Sequence, residues 1–411
     1  MLSARTMPRG TRFARVFRGK SRLIWHACLL ALCVTTCPAR AHAYAWMIRH
    51  GYTQCAQCHV DPSGAGPMTE YGRAMAEQIL RTRYWFDKPD DAGSTPKLVV
   101  GDSELAQLGG DLRVLSLHTK IEQTKLRHDL IWMQADLDAS IQKGHFVASG
   151  SLGYAPRGAL GAALTRGTDS NLVSRQHWVG YWLDDDQALL LRAGRMNVPF
   201  GIRNIEHTLW ARAYTRANID DQQQYGVSFT FLSDRLHAEL LGILGNFQLR
   251  PDAFRERGYS LQAELFPMPT LGVGGSSRIT HVELDTLLLR EEWRHAHGVF
   301  TRWLTPWQPL VILSEWDYVL ESPKYQLRRK GVVGYAQADI EATQGVHFIL
   351  TGEASNVGVL DPPLSYGGWL SYAWFFAPHA DIRLDNVFQS IGSSGGRTSA
   401  ISFLLQAHLY L

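Results

Sequence analysis

From about residue 97 to the end of the chain, apolar and polar side chains alternate with a period of two, in segments near ten residues long separated by turn residues. No long 3.6-residue stripe and no run of twenty apolar residues interrupts this pattern. Successive side chains of a β-strand point to opposite faces. The last segment therefore sets Ile401, Phe403, Leu405, Ala407, Leu409 and Leu411 on one face, with Ser402, Leu404, Gln406, His408 and Tyr410 on the other. Asp381, Arg383 and Asp385 oppose Ile382, Leu384 and Asn386 in the same way. Between 310 and 320, Leu310, Ile312, Trp316, Tyr318 and Leu320 oppose Val311, Leu313, Glu315, Asp317 and Val319. Between 129 and 141, Ile131, Met133, Ala135, Leu137, Ala139 and Ile141 oppose Trp132, Gln134, Asp136, Asp138 and Ser140.

Strands with one apolar and one charged face suit two architectures. A soluble sandwich turns the charged face to water; a membrane barrel turns the apolar face to lipid and lines its lumen with the charges. Other features favour the barrel. Trp178, Trp182, Trp303, Trp307, Trp369, Tyr372, Trp374 and Tyr410 gather near segment ends, where an interfacial aromatic girdle would lie. The sequence runs out on a strand. About 315 residues at roughly 20 per strand and loop give near 16 strands, an even number that closes a barrel. A soluble sheet of this size would normally divide into domains. The expectation is an all-β fold, an antiparallel outer-membrane β-barrel of about 16 strands over 97–411, with a large soluble β domain as the alternative.

The start of the chain is built differently. Residues 1–43 hold eight basic residues and no acid, an apolar run from Leu23 to about Val34, and the small-x-small exit Ala41-His42-Ala43. These are the parts of a secretory signal peptide, and the apolar run is too short for a permanent span of about 20 residues. A retained anchor is the alternative. Removing 1–43 takes the net charge from +3 to about −5, which leaves no basic patch for nucleic acid. It also removes three of the five cysteines. Only Cys55 and Cys58 stay, in an oxidising compartment that permits a disulfide and without the second cysteine pair that a zinc site would need.

Those two cysteines stand in Cys55-Ala56-Gln57-Cys58-His59, the C-x-x-C-H pattern of covalent haem attachment. Two intervening residues let one turn present both sulfurs to one porphyrin edge, and the adjacent imidazole meets the iron from the proximal side. One haem c is therefore expected, with Cys55, Cys58 and His59 binding it and His59 ligating its iron. Three readings stand for the sixth position. Met68 follows the Pro62–Pro67 stretch, which is flexible enough to fold over a haem; His50 is close in sequence; or the iron is five-coordinate. Met47 and Met75 are also near. Between 44 and 96 there are barely fifty residues, too few for an independent core, so a small helical haem module must lean on something larger. Residues 97–107 form the joint. Asp184-Asp185-Asp186 reads as a solvated turn, with a cation site as the alternative, and His207 as a loop or lumen residue, with a metal ligand as the alternative.

Three places carry a resemblance. Cys55–His59 followed by Met68-Thr69-Glu70-Tyr71-Gly72-Arg73 resembles the haem motif and aromatic-Gly-Arg ending of fused monohaem cytochrome c–porins of the bacterial outer membrane, the iron-oxidiser type among them. Arg192–Gly201, with Gly194 and Pro199-Phe200-Gly201, is similar to a strand exit of that family and of phosphate-selective porins. The plan of signal peptide, one haem and one barrel is similar as well. The resemblance implies electron transfer across the outer membrane, from an extracellular donor such as ferrous iron to a periplasmic c-type cytochrome or other redox carrier, with outer-membrane lipid around the barrel. No general acid or base is needed for this. Two other functions remain open: a porin whose haem module is a structural or regulatory plug, and a soluble periplasmic haem protein.

Overall fold

A computed structural model describes residues 45–85, 105–122, 124–154, 172–206, 208–219, 222–247, 253–285, 288–360, 362–393 and 395–410. The expected signal peptide at 1–43, residues 97–104 of the joint, His207 and Leu411 lie outside the described residues.

Seventeen hydrogen-bonded strand segments form one antiparallel sheet. Two of them, β4 (Leu172–Val173) and β5 (His177–Trp182), both pair with β3 (Phe146–Tyr154) and are halves of one interrupted strand. The wall thus has sixteen strands. It closes where β17 (Gly396–Tyr410) returns to β1 (Ala106–Ile121), with Asp111 opposite Tyr410 and Ile121 opposite Ala400. Closure leaves no unpaired sheet edge, the condition for strands to cross a bilayer. No described helix is long and apolar enough to do so.

The faces are inverted relative to a soluble sheet. Along β17 the apolar set Ile401, Phe403, Leu405, Ala407 and Leu409 is exposed, while Leu404, Gln406 and His408 are buried. Charged residues fill the interior: Arg294 sits among Glu256, Asp285 and Glu292, and Arg383 lies between Glu206 and Asp385. The fold is an all-β outer-membrane barrel.

Two details depart from the simple alternation. Opposite β1, the second strand, β2 (Arg127–Lys143), bulges, so that Arg113 pairs with Gln134 but Val114 pairs with Trp132. A one-residue bulge exchanges faces. Trp132 therefore joins Leu130 on the outside, 51% and 68% exposed, instead of facing inward. In addition, Trp178, Trp182 and Trp369 are buried and belong to interior apolar clusters rather than to a girdle. Trp303 and Trp307 do face out.

One end of the barrel has tight turns: Lys143 pairs with Phe146, Thr343 with Val346 and Ala377 with Ala380. The other end carries longer connections, including residues 197–223 between β6 (Leu189–Met196) and β7 (Gln224–Leu232). Two segments fill the lumen. Residues 45–85 are anchored at the tight-turn end, where Arg49 Nη2 donates to Pro309 O (2.8 Å), Gln54 Nε2 to Ser233 O (3.0 Å) and Tyr84 Oη to Phe376 O (2.7 Å). From the opposite end, residues 197–223 fold inward across the lumen. Gly201 N donates to Ser276 Oγ (2.7 Å), Ile202 N to Glu315 Oε2 (2.7 Å) and Trp210 N to Glu353 Oε2 (2.8 Å). The two segments meet where Asn197 Nδ2 donates to Ser63 Oγ at 3.1 Å.

Of the helical module expected over 44–96, residues 45–85 are described, and their helical character consists of short pieces. There are 3-10 turns at Ala45–His50 and Cys55–Gln57, then α1 (Glu70–Met75), continued by a π turn at Ala76–Leu80. So little regular structure in so short a segment fits its dependence on the wall for a core.

Candidate functional site

The C-x-x-C-H residues form one tight turn. Cys58 N and His59 N both donate to Cys55 O, at 3.1 and 2.9 Å. After it the chain makes a narrow hairpin: Val60 N donates to Pro67 O (3.1 Å), Thr69 N donates to Cys58 O (2.8 Å), and His59 and Met68 stand opposite each other in an antiparallel bridge. Thr69 then caps α1, its Oγ1 accepting from Gly72 N at 3.0 Å. The Tyr71-Gly72-Arg73 sequence has a local reason. A Cβ on Gly72 would come within 2.2 Å of Cys58 O, so only glycine lets the helix lie against the cysteine turn. Arg73 Nη1 ties the same helix back to Met68 O at 2.9 Å.

No disulfide joins Cys55 and Cys58. Burial raises the Cys55 thiol above the ordinary cysteine range, despite the nearby Arg203 and Arg302 guanidinium groups. Burial likewise holds the His59 imidazole below the ordinary histidine range, although the Gly66 backbone, Asp111 and Asp61 pull the other way. A neutral imidazole is the form that ligates a metal.

Cys55 and His59 open onto a cavity of about 130 Å³. Its walls come from three sources: the 45–85 segment, the inward loop (Ile202, Arg203) and the barrel strands (Thr230, His237, Glu264, Arg302). Five lining residues carry a buried polar atom without a hydrogen-bond partner: Thr53 Oγ1, His59 Nδ1, Arg203 Nε, Thr230 Oγ1 and His237 Nε2. Native interiors leave few such atoms, and each calls for a missing partner. Two thiols and an imidazole on one turn fit a covalent haem, while the arginines beside them, Arg203 and Arg302, are paired with Glu239 and Glu264. A second cavity, of about 130 Å³, is also lined by His59 and Gly64, together with Met68, Asp111, Arg175 and His408.

Two seats fix the segment that carries the turn. Trp46, Met47, Ile48 and Leu80 pack into an apolar cluster with wall residues Phe300, Leu304, Val311, Leu313 and Phe375. Asp61 is anchored by charge. Its Oδ1 lies 2.8 Å from Arg192 Nη1, both side chains being fully buried, and Arg192 Nη2 lies 2.5 Å from Glu239 Oε1. The Gln176 amide, oriented to satisfy both its ends, donates to Asp61 Oδ2 (3.1 Å) and accepts from Gly66 N (2.7 Å). Burial alone would raise the Asp61 carboxyl; Arg192, the Ser63 hydrogen bonds and Arg203 outweigh it and hold the group below the usual carboxylate range.

No family model and no curated protein matches this chain. Solved structures do. OmpT of Vibrio cholerae, expressed in the outer membrane, matches 76% of this chain and 100% of its own at 10% identity, with a TM-score of 0.58. The chain has the fold of an outer-membrane porin. An anion-selective porin from Comamonas acidovorans matches 74% of this chain and 99% of its own (10% identity, TM-score 0.56). The outer-membrane channel DcaP of Acinetobacter baumannii matches 76% and 100% (12% identity, TM-score 0.53). At such identities the likeness is one of fold.

Of the residues singled out in the sequence, Cys55 and His59 share the first cavity, while Cys58 is buried beside them in the same turn. Met68 lines the second cavity instead. His50 lies 3.3 Å from Glu341 and lines neither. Met47 is buried in the apolar seat, and Met75 Sδ accepts from Tyr52 Oη at 2.8 Å. Asp184 closes a hairpin, its Oδ1 accepting from Leu189 N at 2.7 Å. The sequence reading missed Asp61, Arg192, the inward loop and His237. For Asp61 the signal was a lone acid two residues beyond the haem motif.

Proposed function

We propose that this chain is an outer-membrane electron conduit: one haem c attached at Cys55 and Cys58 and ligated by His59, held inside a barrel that carries it through the lipid. The observation that carries this reading is the C-x-x-C-H turn opening onto a cavity within the lumen, ringed by unpartnered polar atoms. When bound, haem supplies a one-electron centre. The chain does the rest. The two thiols tether by thioether bonds, the neutral His59 ligates, and the inward loop and segment 45–85 fill the bore so that an electron, rather than a stream of solute, crosses. Tight turns mark the periplasmic end of bacterial barrels. Anchoring of 45–85 at that end supports delivery to a periplasmic c-type cytochrome or other carrier, from an extracellular donor such as ferrous iron.

The test is an anaerobic visible spectrum of protein purified from outer membranes, before and after ferrous iron is added. Sharp reduced c-haem bands are the expected result. Bands that respond only to a strong chemical reductant argue against ferrous iron as donor. The porin fold with a segment lodged in its bore favours a second reading, a porin with a structural or regulatory plug. Ion conductance in planar bilayers that ignores haem redox state would establish that reading in place of the conduit.

A further inference from the structure

We infer that His237, a residue of the barrel wall, is the sixth ligand of the haem iron. The inference rests on the haem reading above and goes beyond it, because it makes the wall part of the redox centre.

His237 lies in β8 (Leu236–Gly245) and lines the same cavity as Cys55 and His59. Its Nε2 is buried and has no partner. The ring is held in place by Phe266, with centroids 4.8 Å apart and planes tilted by 49°. An imidazole nitrogen that is oriented, desolvated and unpaired is what a metal ligand looks like before the metal is considered. The competing groups are worse placed. His50 lies against Glu341. His408 spends both nitrogens on aspartates, Nδ1 at 2.8 Å from Asp381 and Nε2 at 3.0 Å from Asp111. Met68 stands opposite His59 in a backbone bridge and lines the second cavity, which His59 also borders. Residues paired in an antiparallel ladder have Cα atoms about 4.5–5.5 Å apart and side chains on the same face. Axial ligands sit on opposite faces of a porphyrin. While the hairpin stays closed, Met68 and His59 would therefore lie on one face, whereas His237 belongs to the barrel wall of a cavity that His59 also lines.

Two consequences follow. Ligation by two imidazoles sets a lower potential than His/Met ligation. The haem would also staple the segment to the barrel, by thioethers on one side and a coordination bond on the other.

The experiment uses the full-length haem-loaded protein in detergent. Covalent haem is first verified by mass and by the pyridine haemochrome spectrum, and barrel integrity by heat-modifiable migration. The ferric wild type is expected to give a low-spin bis-imidazole electron paramagnetic resonance spectrum. H237A should become high-spin and return to low-spin when free imidazole is added; H237M should stay low-spin with a raised potential; M68L should match the wild type. A high-spin wild type, or a folded H237A with an unchanged spectrum, overturns the proposal. So does loss of the low-spin signal in M68L alone. A wild type without covalent haem overturns the haem reading, and this ligand with it.

Discussion

The two seats of segment 45–85 hold it in different ways. The apolar seat, where Trp46, Met47 and Ile48 meet Phe300, Val311, Leu313 and Phe375, gains from removing surface from water, a gain that scales with area and is indifferent to angle. The charged seat, where Asp61 meets Arg192 and Glu239, is the reverse. Taking these groups out of water costs several kcal/mol per ion, and their attraction repays it only when the geometry is right. One seat keeps the segment in the bore; the other fixes how it is turned. The cysteine turn lies between them, so its orientation toward the cavity is set by charge and its retention by packing.

The largest effect is expected from Arg192→Ala. It leaves Asp61 and Glu239 buried without their shared cation, a change that costs about 3–5 kcal/mol. Protease added to the solubilised protein should cut within 45–85 while the barrel stays heat-modifiable. Unchanged resistance would mean that the charged seat is dispensable. A double replacement, D61L with R192M, which leaves Glu239 paired with Arg203, should recover much of the resistance, because apolar groups of similar volume are often neutral in place of a buried ion pair. It should still broaden the haem spectrum if charge sets the orientation.

Acid should act more gently. The carboxyl of Asp61 is held below its ordinary value of 3.8, so its contribution is fully present above that pH and fades as pH falls through the lower, folded value. Protease resistance should be flat from neutral pH to about 4 and decline only below; D61N should remove the decline. A decline centred near pH 6 would assign the effect to a histidine. The smallest effect is expected at the apolar seat from Ile48→Val, about 0.5–1.5 kcal/mol, read as a slight rise in cutting with no change in the haem spectrum. A spectral change as large as that of Arg192→Ala would erase the distinction between the seats.

Much of the wall was legible. In β17, Ile401, Phe403, Leu405, Ala407 and Leu409 face out and Leu404, Gln406 and His408 face in, as the period-two pattern placed them, because a strand between lipid and a polar bore must alternate. Legibility failed where one residue breaks the count or where a residue type does not report its face. The bulge at Met133 sent Trp132 outward, and Trp178 faces in to lie 5.1 Å from the Arg192 guanidinium carbon. The inward course of 197–223 left no mark in local sequence, since its partners Ser276, Glu315 and Glu353 are distant in the chain. The Cys55–His59 motif was readable because its chemistry is local. The position of His237 in the same cavity depends on barrel closure, which no short pattern encodes.

The separation in sequence between segment and seats has a consequence in time. Arg49 finds Asp339 290 residues downstream and Glu341 292 downstream, and Trp46 packs against Phe375. In free energy the distance matters little, since each doubling of a loop adds only about 0.6 kcal/mol of closure entropy. In kinetics it matters more, since non-local contacts form slowly. The segment is synthesised before its seats exist, and until they do it has only the hairpin from Cys58 to Thr69 and the Thr69 cap to hold its shape. During that interval the cysteine turn is an unhoused peptide, open to proteases. The part of the chain that is made first is thus settled last.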